Sequence, residues 1–203
     1  MQTSSDKRQS MNTKIQTLLQ QISDIEDEIE EIINEQQVQI LYFYKDGKVR
    51  FREGVEDAHR KLKKTVFRFF LDSKLRNTVS APFIYSMIFP FAFLDLAITL
   101  YQEICFRLYR IKKVQRSAYI VIDRHNLKHL NIIERFNCVY CGYGNGVLTY
   151  AQEVAARTEQ YWCPIKHARK VLGRHSRYHD FLDYGDAVDY HKHLAEYRRR
   201  LAE

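Results

Sequence analysis

Three cysteines and one histidine form the most specific chemical pattern in this 203-residue sequence. Cys138 and Cys141 are spaced as Cys-x2-Cys, and Cys163 and His167 follow as Cys-x3-His after a gap of 21 residues. In a tight knuckle, two cysteines at the first spacing direct both sulfurs to one centre, and Gly142 suits the sharp turn after them. We therefore predict one metal site with four ligands: Cys138, Cys141, Cys163 and His167.

The second half of this pattern requires a helix that begins at its cysteine. Pro164 suits the first helical position, and residues four apart lie on one helix face, so Cys163 and His167 would reach the same ion. The helix N-terminus would also favour the thiolate of Cys163. A further helix, about four turns over residues 147–160, is predicted between the two pairs.

Zinc is the metal that this ligand set favours, and a closed set of four indicates a structural site. Iron is the alternative, because three thiolates and one imidazole can also hold an iron–sulfur cluster. Four unrelated residues, with the cysteines reduced and buried or joined in a disulfide, are the remaining interpretation.

A second group of side chains could serve a catalytic metal. His125 and His129 are four residues apart, with two carboxylates nearby and two more on the predicted intervening helix. Such residues are more often solvated or used as helix caps, so the enzyme hypothesis is the secondary one: an iron or zinc metalloenzyme acting on a lipid or a membrane-associated substrate. Its candidate catalytic residues are Asp123, His125, His129, Glu134, Glu153 and Glu159.

Residues 80–102 are apolar enough to enter a bilayer, because about 20 apolar residues suffice to cross one. Pro90 should kink this segment, and Asp95 is costly at membrane depth unless it is neutral or partnered. Basic residues flank both ends, which places both ends on the cytoplasmic side. A re-entrant helix pair bent at Pro90 satisfies all three observations; a single span and a buried helix of a soluble protein are the alternatives.

The N-terminal region carries a heptad pattern. Apolar residues recur in alternating steps of three and four, which is typical of a coiled coil, and isoleucine at both core positions favours trimers or tetramers. We expect a homo-oligomer through residues 15–32; one amphipathic helix lying on its own domain is the alternative. The repeating residues are Ile15, Leu18, Ile22, Ile25, Ile29 and Ile32.

Charge is distributed unevenly. The formal net charge is +7, yet residues 24–35 carry seven acids and no base, so the rest of the chain holds +14. A basic body suits anionic lipid headgroups or nucleic acid. The basic residues follow the apolar segment rather than a base-reading element, which makes nucleic acid the weaker partner. No apolar run follows the N-terminus, so no cleavable signal peptide is expected and the cysteines should lie in a reducing cytosol.

Several sequence strings resemble a family of uncharacterised bacterial membrane-associated proteins with a CxxC…CPxKH motif. The strings are YIVIDRHNLKHLN, ERFNCVYCGYGNG, AARTEQYWCPIKHARKVL and RYHDFLDYGDA, together with APFIYSMIFPF and LDLAITLYQEICF in the apolar segment. The resemblance covers about two thirds of the chain and implies a bacterial origin and a membrane location. It implies no activity.

These observations predict a mainly α fold with one small β-hairpin, in an α+β arrangement. The expected function is an oligomeric interaction or assembly module at the bacterial inner membrane, stabilised by zinc on the cytoplasmic side and able to dock a protein partner. The predicted parts are a disordered tail (1–10), a coiled-coil helix (11–37), a β-hairpin (38–54), a basic amphipathic helix with the membrane-inserted segment (55–116) and a cytosolic metal-binding domain (117–203).

Overall fold

The computed structural model is mostly helical, as the sequence predicts, and it divides into two compact units, Met1–His59 and Arg60–Glu203. The predicted disordered tail lies outside the described residues. The structure describes residues 14, 17–18, 20–22, 24–29, 31–33, 35, 42–45, 48–51, 54–63, 65–66, 75–188 and 190–202.

In the first unit, all described residues between 14 and 35 are helical, and the described members of the heptad pattern are exposed. Two four-residue strands follow, Tyr42–Lys45 and Lys48–Phe51, which pair antiparallel with Tyr42 opposite Phe51. The turn residues Asp46 and Gly47 lie outside the described residues, so the complete hairpin stays a prediction.

A short helix, Val55–Lys61, occupies the start of the predicted basic amphipathic helix. The chain leaves the helical conformation at Leu62 and Lys63, and Val66 is helical again. Residues 67–74 lie outside the described part of the chain.

The apolar helix runs over Leu75–Tyr109 and has a mean hydropathy of 1.9 in its most apolar window. It consists of Leu75–Ser86, the single turn residue Met87, Ile88–Tyr101, a π-helical turn Gln102–Phe106, and Arg107–Tyr109. Pro90 lacks the amide hydrogen that would continue the hydrogen-bond ladder, which accounts for the interruption one turn earlier. Met87 keeps right-handed helical angles (φ −65°, ψ −11°).

This geometry corrects the prediction of a re-entrant pair. A helical hairpin needs a connection of several residues to reverse the chain, whereas one residue with helical angles carries the helix forward. The buried-helix alternative is also wrong, because only 6% of the most apolar window is buried.

The long helix, Ile132–Trp162, is an uninterrupted α-helix of 31 residues and begins with a capping box. The Asn131 side chain accepts hydrogen bonds from the amides of Ile133 and Glu134, and the Glu134 carboxylate accepts one from the Asn131 amide. Such a reciprocal cap satisfies amides that have no intrahelical partner. The helix therefore starts about four turns before the predicted one and passes without a break through the sequence that was expected to form a knuckle.

The remaining elements are short, apart from a C-terminal helix. A helical turn ends within the β-branched string AYIVI (residues 118–122), and the rest of that string is irregular. The core joins the apolar helix, the long helix and the C-terminal helix through Phe106, Ile111, Val114, Tyr150, Val154 and Leu201. The other elements are Arg116–Tyr119, the 3-10 turns Arg124–Asn126 and Ser176–Asp180, and the C-terminal helix Tyr190–Ala202.

Two glycines of the long helix permit its close packing. A Cβ atom on Gly146 would lie 2.8 Å from the Tyr119 carbonyl oxygen and 2.9 Å from Ile120 Cα, and one on Gly144 would lie 2.9 Å from the Phe91 ring. Glycine within a helix costs roughly 0.5–1 kcal/mol relative to alanine. The close contact of neighbouring chain segments explains why glycine occupies positions where the intrinsic helix propensity favours alanine.

Replacing Gly146 by alanine should destabilise the protein, because the new methyl group would meet backbone atoms that cannot rotate away. Gly142→Ala is the matched control: its Cβ would lie at 3.4 Å from the Val121 carbonyl oxygen, near ordinary contact, so the gain in helix propensity should leave stability unchanged or raised. Thermal unfolding in mild detergent, followed by circular dichroism, would measure both. Equal midpoints for the two variants would contradict the packing.

Candidate functional site

The structure does not bring the four predicted metal ligands together. Cys138 and Cys141 lie within the long helix, and Cys163 follows its last residue. At 1.5 Å per residue, the 22 steps from Cys141 to Cys163 span about 33 Å. Zinc holds each sulfur at about 2.3 Å, so the two pairs cannot share one ion within a chain. The predicted knuckle is wrong because the Asn131 capping box and the close-packed glycines keep this stretch helical.

The predicted helix after Cys163 is also absent. Ile165 instead forms an isolated parallel bridge with Leu182, and the Lys166 amide donates to the Leu182 carbonyl oxygen over 2.7 Å. His167 stacks on the Tyr178 ring, whose hydroxyl accepts a hydrogen bond from the His167 amide over 2.6 Å. This pairing fixes the loop between the long helix and the C-terminal helix.

The thiol of Cys163 therefore has an environment opposite to the predicted one. Cys163 is the C-terminal cap of the long helix rather than the first residue of a new helix. Burial raises the pKa of the Cys163 thiol, and the nearby Glu159 carboxylate raises it further. Both effects favour the neutral thiol, whereas the predicted helix N-terminus would favour the thiolate.

Three of the four candidate catalytic carboxylates are engaged in structural contacts. Glu134 belongs to the capping box, and Glu159 lies 3.0 Å from the His175 ring nitrogen Nε2. Glu153 accepts from Arg157 over 2.8 Å and from Arg177 over 3.0 Å. Asp123, His125 and His129 lie in the irregular segment before the long helix. Among the described residues, no three His, Cys, Asp or Glu side chains are grouped so that they could hold a metal.

The contacts around Glu153 join three parts of the fold. Arg177 also donates to the Gln160 side chain over 2.9 Å, and Gln160 donates to the Tyr197 carbonyl oxygen over 3.2 Å. Arg157 donates to the Lys112 carbonyl oxygen over 2.5 Å. The network ties the long helix to the loop around Arg177, to the C-terminal helix and to the segment after the apolar helix, which is a structural role.

The feature that most needs a partner is one face of the apolar helix. Large apolar side chains along this helix are exposed from its first residue nearly to its last, mostly in steps of three or four that place them on one side. Phe83, Phe89 and Phe93 each expose about three quarters of their surface. We call this surface the apolar face; its residues are Leu75, Val79, Phe83, Met87, Phe89, Phe93, Leu96, Leu100, Ile104 and Leu108.

The opposite side of the apolar helix faces the rest of the unit and carries one buried carboxylate. Asp95 is buried there and accepts two hydrogen bonds from Arg116, over 2.8 and 2.5 Å, and one from the Tyr143 hydroxyl over 2.9 Å. The need of Asp95 for a partner is visible in the sequence, but the sequence does not show that Arg116 and Tyr143 provide it. The apolar helix therefore has one face satisfied by the protein and one that is unpartnered within the described part of the chain.

Comparison with known proteins returned no match to a family model, to a curated protein or to a solved structure. The resemblance to bacterial membrane-associated proteins therefore stays a prediction. The apolar face is the strongest indication of function. It is one continuous apolar surface, whereas soluble proteins ordinarily expose apolar residues singly.

The raised pKa of the Cys163 thiol can be used to test whether Cys163 lies at the C-terminus of the long helix. In a chain whose other cysteines are replaced by serine, the pH midpoint of alkylation by iodoacetamide should lie higher in the folded protein than in the same chain unfolded in urea. Glu159→Gln should lower the folded midpoint, because it removes a negative charge beside the thiol. A folded midpoint below the unfolded one would instead indicate the predicted helix N-terminus at Cys163.

Proposed function

We propose that this protein is a membrane-attached module whose apolar face inserts into lipid and holds the rest of the Arg60–Glu203 unit at the membrane surface. The observation that supports this most directly is the continuous exposure of the apolar face along a helix of 35 residues with a mean hydropathy of 1.9 in its most apolar window. Leaving such a surface in water is unfavourable by roughly 25 cal/mol for every Å².

Charge favours a lipid bilayer over a second copy of the chain as the partner of this face. Residues 60–203 contain 25 Lys or Arg and 13 Asp or Glu, a formal net charge of +12. Basic residues stand at both ends of the apolar helix, Arg76 at one end and Arg110 with Lys112 at the other. Anionic headgroups attract this charge, whereas a second copy of the same unit would add like charge.

Self-association belongs to the proposal through the N-terminal helix. Its described heptad residues Leu18, Ile22, Ile25 and Ile29 are each about half exposed, and the acids of residues 24–35 flank them. A coiled coil would cover this stripe. Assembly of several copies would multiply the lipid contacts of the complex and make its attachment more stable than that of one chain. Zinc is not part of the proposal, because the predicted ligands lie too far apart in one chain.

Membrane attachment can be tested by flotation of the full-length protein with vesicles containing anionic lipid. The double variant Phe83→Asp and Phe93→Asp removes two exposed phenylalanines from the apolar face, a loss of about 3–6 kcal/mol of apolar transfer free energy. The partition coefficient should therefore fall by more than about 100-fold.

The matched control is Leu172→Asp, which replaces an exposed apolar residue in the loop after the long helix. This variant should float with the vesicles as the unmodified protein does. Unchanged flotation of the double variant, or an equal loss in the control, would contradict the role of the apolar face.

Deleting residues 1–37 should lower the oligomeric state measured by light scattering in detergent, because the deletion removes the heptad stripe and leaves the Arg60–Glu203 unit intact. A partial variant, Ile22→Asn with Ile25→Asn, keeps the chain length and should have the same direction of effect. An unchanged mass for both variants would remove the N-terminal helix from the proposal.

A further inference from the structure

We infer that the apolar helix lies in the plane of the membrane, with both ends on the same side, rather than crossing the bilayer. The inference rests on the proposed function, since it concerns how the apolar face meets lipid. By length alone the helix could cross a membrane. The parts of the protein that pack on the opposite side of this helix are unsuited to lipid, and they would have to enter the bilayer with it.

The long helix runs beside the apolar helix in the same direction. Five contacts join the two helices, from the Asn137 end of the long helix to its Thr158 end. Tyr85 bonds to Asn137 over 2.5 Å, Phe91 packs at Gly144, Asp95 meets Tyr143, Thr99 meets Tyr150 over 3.5 Å, and Tyr101 meets Thr158 over 3.0 Å. From Tyr85 to Tyr101 the contacts span 16 residue steps of the apolar helix, about 24 Å of its length. A crossing would therefore carry the long helix into the bilayer as well.

The long helix is unsuited to lipid over that stretch. The stretch contains Asn145, Thr149 and Gln152, all exposed, and Glu153, which is held by two arginines. Among the described residues, only the apolar helix is long and apolar enough to cross a membrane. Exposed polar side chains at membrane depth would lose their hydrogen bonds to water, which makes such a placement costly.

Irregular backbone also lies at the middle of the helix pair. The Val121 carbonyl oxygen approaches Gly142, and the Tyr119 carbonyl oxygen approaches Gly146, halfway along the contact. The same segment exposes Asp123 and Arg124. Lipid-exposed irregular backbone does not occur within the hydrocarbon core, because its amide and carbonyl groups would be unsatisfied there. This segment therefore requires contact with water at the level of the helix midpoint.

The ion pair between Asp95 of the apolar helix and Arg116 also argues against a crossing. Asp95 lies three residues from Ala92, the middle of the helix, or about 4.5 Å along its axis. Its partner Arg116 has 45% of its side chain exposed. A crossing helix would expose that guanidinium to the centre of the bilayer, at a cost of several kcal/mol. In the plane, Arg116 lies on the water side and the apolar face lies on the lipid side.

The length of the apolar face fits this orientation. At 1.5 Å per residue the helix is about 52 Å long, well beyond the 30 Å of a hydrocarbon core. Exposed apolar side chains continue to both ends, from Leu75 to Leu108. A crossing helix would place these terminal residues outside the hydrocarbon, whereas a helix in the plane keeps all of them at one shallow depth.

A depth profile by tryptophan fluorescence tests the inference. In the full-length Trp162→Phe protein, one tryptophan is introduced at a time on the apolar face, at Val79, Phe83, Phe93, Leu100 or Leu108. The protein is bound to vesicles whose lipids carry bromine at different positions of the acyl chain. Lipids brominated near the headgroup should quench all five tryptophans most strongly, with no deep maximum at the middle of the helix.

The alternatives give different profiles. A crossing helix would make the Phe93 position deepest and the Val79 and Leu108 positions shallow, which would overturn the inference while leaving membrane attachment in place. Quenching at none of the five positions would overturn the proposed function itself. Leu172→Trp in the same background is the control, and it should stay unquenched because it lies on the exposed loop after the long helix.

Discussion

The close contact between the apolar helix and the long helix is the constraint on which the rest of the Arg60–Glu203 unit depends. The absence of a side chain at Gly144 lets the Phe91 ring pack closely, and at Gly146 it lets the backbone of residues 119–120 approach. The Arg116 and Tyr143 side chains both donate hydrogen bonds to the Asp95 carboxylate. These contacts fix which side of the apolar helix faces protein. They therefore also fix which side stays exposed, and the orientation that we propose for the helix in a membrane rests on this packing.

The same contact supports the proposal that this protein stays on one side of a membrane although its apolar segment is long enough to span one. If the helix crossed a bilayer, the residues on both of its sides would lie in hydrocarbon. Here the buried side holds a carboxylate, its arginine and an irregular segment with exposed charges. Each of these is favourable at a water-facing surface and costly in hydrocarbon. The basic charge of the unit then adds attraction to anionic headgroups without any change in the fold.

The sequence predicts some of this structure well. The apolar segment, its interruption near Pro90, the need of Asp95 for a partner and the mainly helical class all follow from local pattern. The path of the chain through Cys138 and Cys141 could not be predicted in this way. The string CVYCGYGNG has the composition of a turn, yet it is helical in the structure. Two features keep this stretch helical instead: Gly144 and Gly146 serve close packing, and the Asn131–Glu134 capping box starts the helix seven residues before Cys138. The Asn-x-x-Glu spacing was visible in the sequence, whereas the approach of Tyr119 to Gly146 required the three-dimensional structure.

Protease accessibility in sealed vesicles would test the central claim most directly. Protein added to preformed vesicles would be treated with trypsin from outside, and the fragments would be identified by mass spectrometry. A helix in the plane leaves basic sites before Leu75 and after Tyr109 on the same side, so each molecule should be cut at both and yield a bound fragment close to the length of the apolar helix. Cleavage on one side only, with the other becoming accessible after the vesicles are opened, would show that the helix crosses the membrane and would contradict this account.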